Sequence, residues 1–228
     1  MAFSGRSFGK VGLSGYVRSF TFELMSKIKN GEYNGPLSCV LRNSPQLTET
    51  ELYGNIILFA FAGHDTTGHT LTWLLYELCL NHTIQCELQK EVDTFWIKQN
   101  ENGIRSIKLD DFRKLKLMTR CITETLRLWP AVANGTYREL LFDDYITGKD
   151  NKGVRVPKGT YVQIPNWTRH RNPLLWGKDV NVFNPYRKFL DSELWYGDSF
   201  SGVNLESERF SPFLYDPRSC IGKTFAQI

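Results

Sequence analysis

One cysteine near the end of the chain has neighbours that favour thiolate chemistry. Cys220 lies between Arg218 and Gly222, and the run Lys-Thr-Phe-Ala that follows is typical of a helix start. A nearby guanidinium and a helix N-terminus each lower the pKa of a thiol, and the thiolate is the form that binds metals or attacks electrophiles. A lone cysteine is more often buried packing than a ligand. This segment alone therefore leaves both interpretations open.

A second set of polar residues interrupts an apolar segment. The run AGHDTT occupies residues 62–67, directly after the apolar run Ile56 to Ala62. Glycine weakens a helix by about 1 kcal/mol relative to alanine, and Thr and Asp side chains compete for backbone hydrogen bonds in mid-helix. The pattern predicts a local distortion in a long helix, and such distortions often occur at functional sites. The alternative is that the Thr66 hydroxyl only bonds back to its own helix.

Two further short motifs are weak by themselves. Glu124 and Arg127 stand three residues apart in the run ETLR, and such a pair on a helix is usually a surface ion pair. The run FNPYR at residues 183–187 is by itself a turn with an aromatic residue. Neither motif alone indicates a function.

Together, in this order and at these separations, the four motifs resemble the C-terminal half of the cytochrome P-450 family of haem-thiolate monooxygenases. The family's A/G-G-x-D/E-T-T/S pattern matches residues 62–67 in full, and the E-x-x-R of its K helix matches Glu124 and Arg127. The family's P-E-R-F segment matches at Pro185 and Arg187, with Tyr186 where Glu is common.

The family's haem loop, F-x-x-G-x-R-x-C-x-G, matches at Phe213, Arg218, Cys220 and Gly222. Asp216 stands where the pattern usually has Gly, which reaches positive φ freely. Because Asp is among the few residues that tolerate positive φ, we expect a looser haem loop rather than none.

The resemblance implies a cofactor, haem b, and a role for each residue of the loop. Cys220 would be the thiolate ligand of the iron, whose electron donation favours cleavage of the O–O bond. Arg218 would pair with a haem propionate, and Phe213 would pack on the porphyrin and shield the Fe–S bond. Gly222 would let the backbone pass close to the sulfur and the macrocycle.

The resemblance also implies roles for residues outside the loop. Asp65 and Thr66 would be the acid–alcohol pair that stabilises bound dioxygen and delivers protons, and Gly63 would leave room for dioxygen. Arg138 would meet a second propionate. Glu124, Arg127 and Arg187 would form a buried network for folding and haem retention, since an unpaired buried charge costs about 3–5 kcal/mol.

The predicted fold is mainly α with small β-sheets, a truncated cytochrome P-450 fold with a long central helix, a K-type helix, β hairpins and a cysteine haem loop. We expect residues 1–228 to be the C-terminal part of a single domain. Its predicted parts are the end of preceding helices and a loop at 1–47, the central distal helix at 48–80, the E-x-x-R helix at 115–130, the P-x-R segment at 183–189, and the haem-cysteine loop with the start of the next helix at 213–228.

Local signals predict the elements that position these residues. Thr48 and Glu51 form a capping box at the start of the central helix, and that helix is apolar on most faces, which predicts a core position. The breakers Gly31, Gly35 and Pro36 predict a loop over 30–45. Further predictions are a helix over 83–96, a helix over 115–128 with Leu115, Met118, Ile122 and Leu126 on one stripe, and a hairpin of 154–156 with 161–164 across a type I turn at Pro157.

Composition excludes several classes of protein. The chain has 28 Lys+Arg against 24 Asp+Glu, and no basic cluster interleaves with aromatics, so no nucleic-acid partner is predicted. Its longest apolar run has seven residues, well short of the roughly 20 that span a membrane. The five cysteines are scattered, form no zinc spacing and favour a reducing compartment. They are Cys39, Cys79, Cys86, Cys121 and Cys220.

The N-terminal 20 residues suit either a mitochondrial transit peptide or an interior segment, and the second interpretation is favoured. Localisation is not predicted beyond the lack of a transmembrane segment here, since full-length relatives are often anchored through an N-terminus that this chain lacks. Expected partners are a reductase or ferredoxin that supplies electrons, O₂, and a hydrophobic small-molecule substrate. The alternative is a truncated, catalytically inactive remnant that binds haem weakly or associates with a partner chain.

Overall fold

The computed structural model describes residues 12–44, 46–101, 109–148, 150–194, 207–214 and 218–226. The chain divides into two compact units, Met1–Asp65 and Thr66–Ile228. In chain order the described helices are α1 Gly12–Lys29, α2 Pro36–Arg42, α3 Glu49–Leu80, α4 His82–Glu101, α5 Lys116–Leu128, α6 Asn166–His170, α7 Pro173–Trp176 and α8 Lys223–Ala226, with 3-10 turns at Leu109–Lys114 and Asp191–Glu193. The single-domain assignment stays a prediction.

The first unit holds α1, α2 and the first half of α3. Its core consists of side chains from all three helices: Met25, Ile28, Leu41, Leu52 and Ile56. The prediction of a loop over 30–45 is wrong in part, because α2 lies inside it. Pro36 occupies the first turn of α2, where its fixed φ suits a helix and its missing N–H has no partner to lose.

The start of α3 confirms the predicted capping box. The Thr48 N–H donates to Glu51 Oε2 at 2.8 Å, and the Glu51 N–H donates to Thr48 Oγ1 at 3.2 Å. These bonds satisfy backbone donors that have no partner within the helix. The helix ends at Leu80, as predicted.

The predicted distortion of α3 is absent. The helix is continuous as an α-helix through residues 62–67. The hydroxyls of Thr70 and Thr72 instead bond back to the carbonyls of Thr66 and Gly68 at 2.9 and 2.8 Å. These hydroxyls bond to helix carbonyls without displacing the backbone hydrogen bonds, so the helix continues through its polar residues.

Much of the apolar surface of α3 is exposed, so the prediction of an enclosed core helix is wrong for the described residues. A helix with apolar residues on all faces is suited to burial on every side. The described residues of this chain bury only part of its surface. Leu74 and Leu78 of α3 are buried in the core of the second unit. The exposed large apolar side chains on this helix are Leu58, Phe61, Leu71, Leu75, Tyr76 and Leu80.

Helices α4 and α5 confirm their predicted positions within a few residues, but α5 buries different side chains from those predicted. The predicted stripe is only half-buried. The buried face is largely polar and consists of Thr119, Cys121, Thr123, Glu124, Thr125, Arg127 and Leu128. The threonine hydroxyls among them donate to carbonyls four residues earlier, which satisfies them inside the protein.

Small antiparallel sheets follow α5, and they confirm the predicted fold class. The strands are β1 Thr136–Glu139, β2 Asp144–Thr147, β3 Gly153–Val156 and β4 Tyr161–Ile164. Strand β1 pairs with β4, placing Arg138 opposite Val162, and β2 pairs with β3. The predicted hairpin of 154–156 with 161–164 is therefore wrong.

The turn between β3 and β4 explains this pairing. The Thr160 N–H donates to the Pro157 carbonyl at 3.1 Å and Gly159 has a φ of +81°, which is a type II turn rather than the predicted type I. The Gly159 N–H also donates to the Leu140 carbonyl at 2.8 Å. The turn thus carries the chain from its pairing with β2 to its pairing with β1.

The C-terminal part of the second unit packs around a separate apolar cluster. Its buried members are Trp176, Val180, Phe189, Leu194 and Phe210. Among the described residues, no helix is both long enough and apolar enough to cross a lipid bilayer.

Candidate functional site

Cys220 lies in the backbone turn that leads into α8. Its N–H donates to the Phe213 carbonyl at 2.8 Å, and its carbonyl accepts from the Lys223 N–H at 3.2 Å. Asp216, at which we predict a looser haem loop, is one of residues 215–217, which lie outside the described residues. The second bond places the cysteine directly before the helix, as the sequence predicts.

The side chains around Cys220 suit a flat, apolar group that carries carboxylates. The cysteine and the Arg218 guanidinium are both exposed, and Ile221 and Phe225 are 85% and 79% exposed. A thiolate can ligate haem iron, a guanidinium can pair with a propionate, and exposed apolar side chains can pack on a porphyrin. These residues therefore fit the haem that the resemblance implies.

Gly222 and Phe213 of the predicted loop are not tightly enclosed by the described residues. An ideal Cβ built at Gly222 would lie 3.8 Å from the Cys220 sulfur, an ordinary contact, so the sulfur alone does not require glycine there. Phe213 is half-buried. The backbone bond from Cys220 to Phe213 holds these two residues close together.

Another cysteine shows what a structural thiol looks like in this chain. Cys121 has no exposed surface, and burial together with Glu91 raises the pKa of its thiol to about 12. A thiol in such a setting stays protonated and is a poor ligand. Exposure therefore separates Cys220 from Cys121.

The predicted acid–alcohol pair lies on consecutive residues of α3. Asp65 and Thr66 are half-buried, and the Thr66 carbonyl accepts from the Thr70 hydroxyl. At Gly63 no atom beyond its chain neighbours and the local helix backbone lies within 4 Å of where a Cβ would stand, so the helix surface there is open. Their roles stay predictions.

Arg138 contacts its own strand. Its guanidinium donates to the Thr136 hydroxyl and, at 2.9 Å, to the Tyr137 carbonyl. The side chain is exposed. Its predicted pairing with a propionate stays a prediction.

The structure brings Glu124, Arg127 and Arg187 together. Arg127 Nε and Nη2 donate to the two carboxylate oxygens of Glu124, each at 2.7 Å. Arg187 Nε donates to Glu124 Oε1 at 3.3 Å, and the backbone N–H of Asn184 donates to the same oxygen at 3.0 Å. Glu124 and Arg127 have no exposed surface.

All five N–H groups of Arg127 have acceptors. Besides the carboxylate, it donates to the carbonyls of His170 at 2.9 Å, Val180 at 2.7 Å and Val182 at 3.4 Å. A guanidinium has five donors in a fixed geometry. The surrounding chain therefore supplies an acceptor for each N–H group of Arg127.

Arg187 is satisfied in the same way. In addition to Glu124, its donors reach the Trp176 carbonyl at 3.1 Å, Asp179 Oδ1 at 2.9 Å, the Asp179 carbonyl at 3.0 Å and the Val182 carbonyl at 3.2 Å. The hydrogen bond from Arg187 also lowers the pKa of the Asp179 carboxyl.

A second ion pair, between a buried carboxylate and a half-buried arginine, was not predicted. Arg209 donates to both oxygens of the buried Glu193 at 2.7 Å, and the Ser207 hydroxyl donates to Oε1 at 2.6 Å. The Arg209 guanidinium also lies 4.2 Å from the Trp176 ring centroid. This pair fixes the segment that precedes the cysteine.

Helix α4 holds α5 and the P-x-R segment through two carboxylates. Glu91 accepts from the backbone N–H groups of Leu117 and Met118 at 2.8 and 2.9 Å, which caps the start of α5. Tyr186 donates its hydroxyl to Glu87, and this hydrogen bond raises the pKa of Tyr186 to about 12. Tyr186, which stands where the family motif commonly has Glu, therefore contacts α4.

Sequence reasoning missed Glu91, Asp179, His170 and Glu193. Arg187 lies 8 residues from Asp179, and Arg127 lies 43 residues from His170. Glu91 and Glu193 accept from residues 26 and 16 positions away, and Glu193 also accepts the Leu190 N–H three residues away. No local spacing marks the long-range contacts.

A family model described as cytochrome P-450 matches residues 20–228. The chain is 33% identical to a Caenorhabditis elegans protein named cytochrome P-450 CYP13A5 over 183 residues, which are 80% of this chain and 31% of that protein. It is 32% identical to rat (Rattus norvegicus) cytochrome P-450 4F3 over 79% of this chain and 31% of that one. It is 36% identical to the cytokinin hydroxylase of Arabidopsis thaliana over 74% of this chain and 28% of that one.

The chain therefore spans about a third of the length of the curated relatives that it matches. The matched region contains all four sequence motifs.

Proposed function

The chain belongs to the cytochrome P-450 family, and we propose that it is part of a haem-dependent monooxygenase. In this proposal the protein inserts one oxygen atom of O₂ into a hydrophobic substrate, with electrons from a reductase or ferredoxin. A bound haem b would supply the activation of oxygen. The residues of this chain hold the haem and handle protons.

Each proposed role follows from the chemistry of a side chain. Cys220 provides a thiolate as the axial ligand of the iron, and the guanidiniums of Arg218 and Arg138 bind propionates. Asp65 and Thr66 hold water and pass protons to the oxygen side. Glu124 and its two arginines position the chain that precedes the cysteine.

The observation that carries the proposal is the completed Glu124–Arg127–Arg187 network in a chain whose exposed cysteine follows it. The network joins residues 60 and more positions apart in sequence. It leaves no donor of either arginine unused.

The test is the carbon-monoxide difference spectrum of the reduced chain, expressed with haem supplied. We expect a strongly red-shifted Soret band, because a thiolate ligand donates electron density to the iron. Cys220→Ala should abolish the shift. The matched control is Cys86→Ala, which removes another exposed cysteine and should leave the spectrum unchanged. A shifted band that survives Cys220→Ala would contradict the ligand assignment.

The second candidate is a catalytically inactive remnant that binds haem weakly or associates with a partner chain. The exposed apolar side chains of α3 favour it, since large exposed apolar patches usually mark an interaction surface or an aggregation hazard. If the unmodified chain takes up no haem or gives an unshifted band, the remnant is supported and the enzyme proposal for these 228 residues fails.

A further inference from the structure

His170 lies between the buried arginine network and the segment that leads to Cys220. It is the last residue of α6, and its side chain has no exposed surface. Its backbone carbonyl accepts from Arg127 Nη1 at 2.9 Å. The main chain at this position is therefore tied to the network.

The imidazole of His170 contacts the segment that leads to Cys220. Its Nε2 accepts the backbone N–H of Ser211 at 3.3 Å, and its ring lies 5.0 Å from the ring of Phe210. Ser211 is fully buried, so its N–H has no access to water. A buried N–H needs an acceptor, and here a side chain supplies it.

Arg169, the residue before His170, binds the side-chain hydroxyl of the same serine. The Arg169 guanidinium donates to the Ser211 hydroxyl and, at 2.8 Å, to Asn166 Oδ1. Two consecutive residues of α6 thus fix both the backbone and the side chain of Ser211.

Backbone hydrogen bonds continue from Ser211 to the cysteine. The Leu214 N–H donates to the Ser211 carbonyl at 3.1 Å, and the Cys220 N–H donates to the Phe213 carbonyl at 2.8 Å. Because Phe213 lies between these two bonded positions, a shift of Ser211 would be transmitted to Cys220.

We propose that His170 is a positioning residue that couples the Glu124–Arg127–Arg187 network to the backbone that presents Cys220. Its imidazole acts as a neutral acceptor, which requires the proton on Nδ1 rather than on Nε2. The coupling is a property of the protein alone. Its consequence for a bound haem rests on the proposed function.

Nuclear magnetic resonance on the unmodified, ¹⁵N-labelled chain tests the hydrogen bond directly. The chain has only four histidines, so the His170 ring nitrogens can be assigned. We expect an unprotonated Nε2 with a scalar coupling to the Ser211 amide nitrogen. A protonated Nε2, or no such coupling, would overturn the proposal even if every variant failed to fold.

Hydrogen exchange with a matched pair of variants tests the coupling. His170→Phe keeps a ring against Phe210 but has no acceptor, whereas His170→Gln keeps an acceptor near the position of Nε2. We expect amide exchange in 207–214 and at Cys220 to be about tenfold faster in H170F, since a buried donor loses its partner. In H170Q it should stay within about twofold of the unmodified chain.

The amides of α5 serve as the internal reference. If exchange in α5 rises in H170F by the same factor, His170 merely supports the whole unit and the specific coupling is wrong. Equal exchange in H170F and H170Q would also overturn the proposal. None of these measurements uses haem, so failure of the chain to bind haem leaves their outcome readable.

Discussion

The side chains of Glu124 and Arg127 have no exposed surface, whereas Cys220 and Arg218 stand in solvent. Both regions carry motifs of the same family and both lie in the second unit. In the network, every donor of the arginines ends on an oxygen of this chain. The N–H and the carbonyl of Cys220 bond to the backbone of Phe213 and Lys223, and Cys220 and Arg218 are exposed.

The difference in burial distinguishes a network whose partners all lie within the chain from a segment whose side chains are accessible to another molecule. A buried guanidinium is tolerated only when its charge and all its donors are matched, so the network has to be complete in the protein alone. An exposed thiol beside exposed apolar side chains has no such requirement. The network thus stabilises the fold from within the chain, and the cysteine segment is the surface at which we propose that haem binds.

Replacement of Arg127 by lysine should have the largest effect. Lysine has three donors on a flexible stem and cannot reproduce the fixed fork of five, so the Glu124 carboxylate and three carbonyls would lose partners. We expect the free energy of unfolding to fall by about 3–5 kcal/mol, measured by urea denaturation. That is a large part of the total stability of a domain of this size.

The control for this variant is Arg155→Lys. Arg155 pairs with Asp143 on the surface, and an exposed ion pair adds little to stability, so its urea midpoint should hardly move. If both variants lost the same stability, the contrast between buried and exposed arginines would be wrong.

The pH dependence of stability examines His170, which connects the two regions. Burial, together with Arg169 and Arg127 nearby, lowers the pKa of His170 from 6.5 to about 3. Between these values the unfolded chain binds a proton that the folded chain does not. Stability is therefore complete above pH 6.5 and falls as the pH falls toward 3, by up to about 1.4 kcal/mol per pH unit.

The measurement is the free energy of unfolding at about pH 7 and about pH 5.5. The unmodified chain should lose about 1 kcal/mol over this range from His170, and His170→Gln, which keeps the other three histidines, should lose correspondingly less. Parallel pH profiles for the two proteins would show that His170 titrates alike in both states. Arg171, the third arginine near this imidazole, is present in both proteins.

The long helices and the order of the motifs could be predicted because their signals are local. The capping box at Thr48 and Glu51 confirms this, since both partners lie within one helical turn. The pairing of β3 with β2 and of β4 with β1 could not be predicted in the same way. Two short strands joined by a turn pattern favour a hairpin, but Asp143 and Leu140 accept the N–H groups of the turn and divert the chain.

The candidate site divides along the same line. The resemblance supplied Glu124, Arg127 and Arg187, and the structure brings them together. The groups that complete the network could not be predicted, because five of them are backbone carbonyls and carry no residue type. His170 contributes one such carbonyl, and so only the fold reveals its place.

The backbone before Cys220 carries a strain that the network region lacks among the described residues. Leu214 has a φ of +66°, in the left-handed region, and Asn151 is the only other described non-glycine residue with a positive φ. This conformation costs most residues about 1 kcal/mol or more, while asparagine tolerates it. Strain of this kind persists when the surrounding bonds determine the backbone.

Two substitutions at Leu214 isolate that strain. Leu214→Asn and Leu214→Ala both remove the packing of a half-buried leucine, but only asparagine suits the positive φ. We expect L214N to be more stable than L214A by about 0.5–1 kcal/mol, the smallest of these effects, measured as the difference in urea midpoint. Equal stability would mean that the backbone relaxes at residue 214, and the segment before the cysteine would then be held only by the bonds to Ser211.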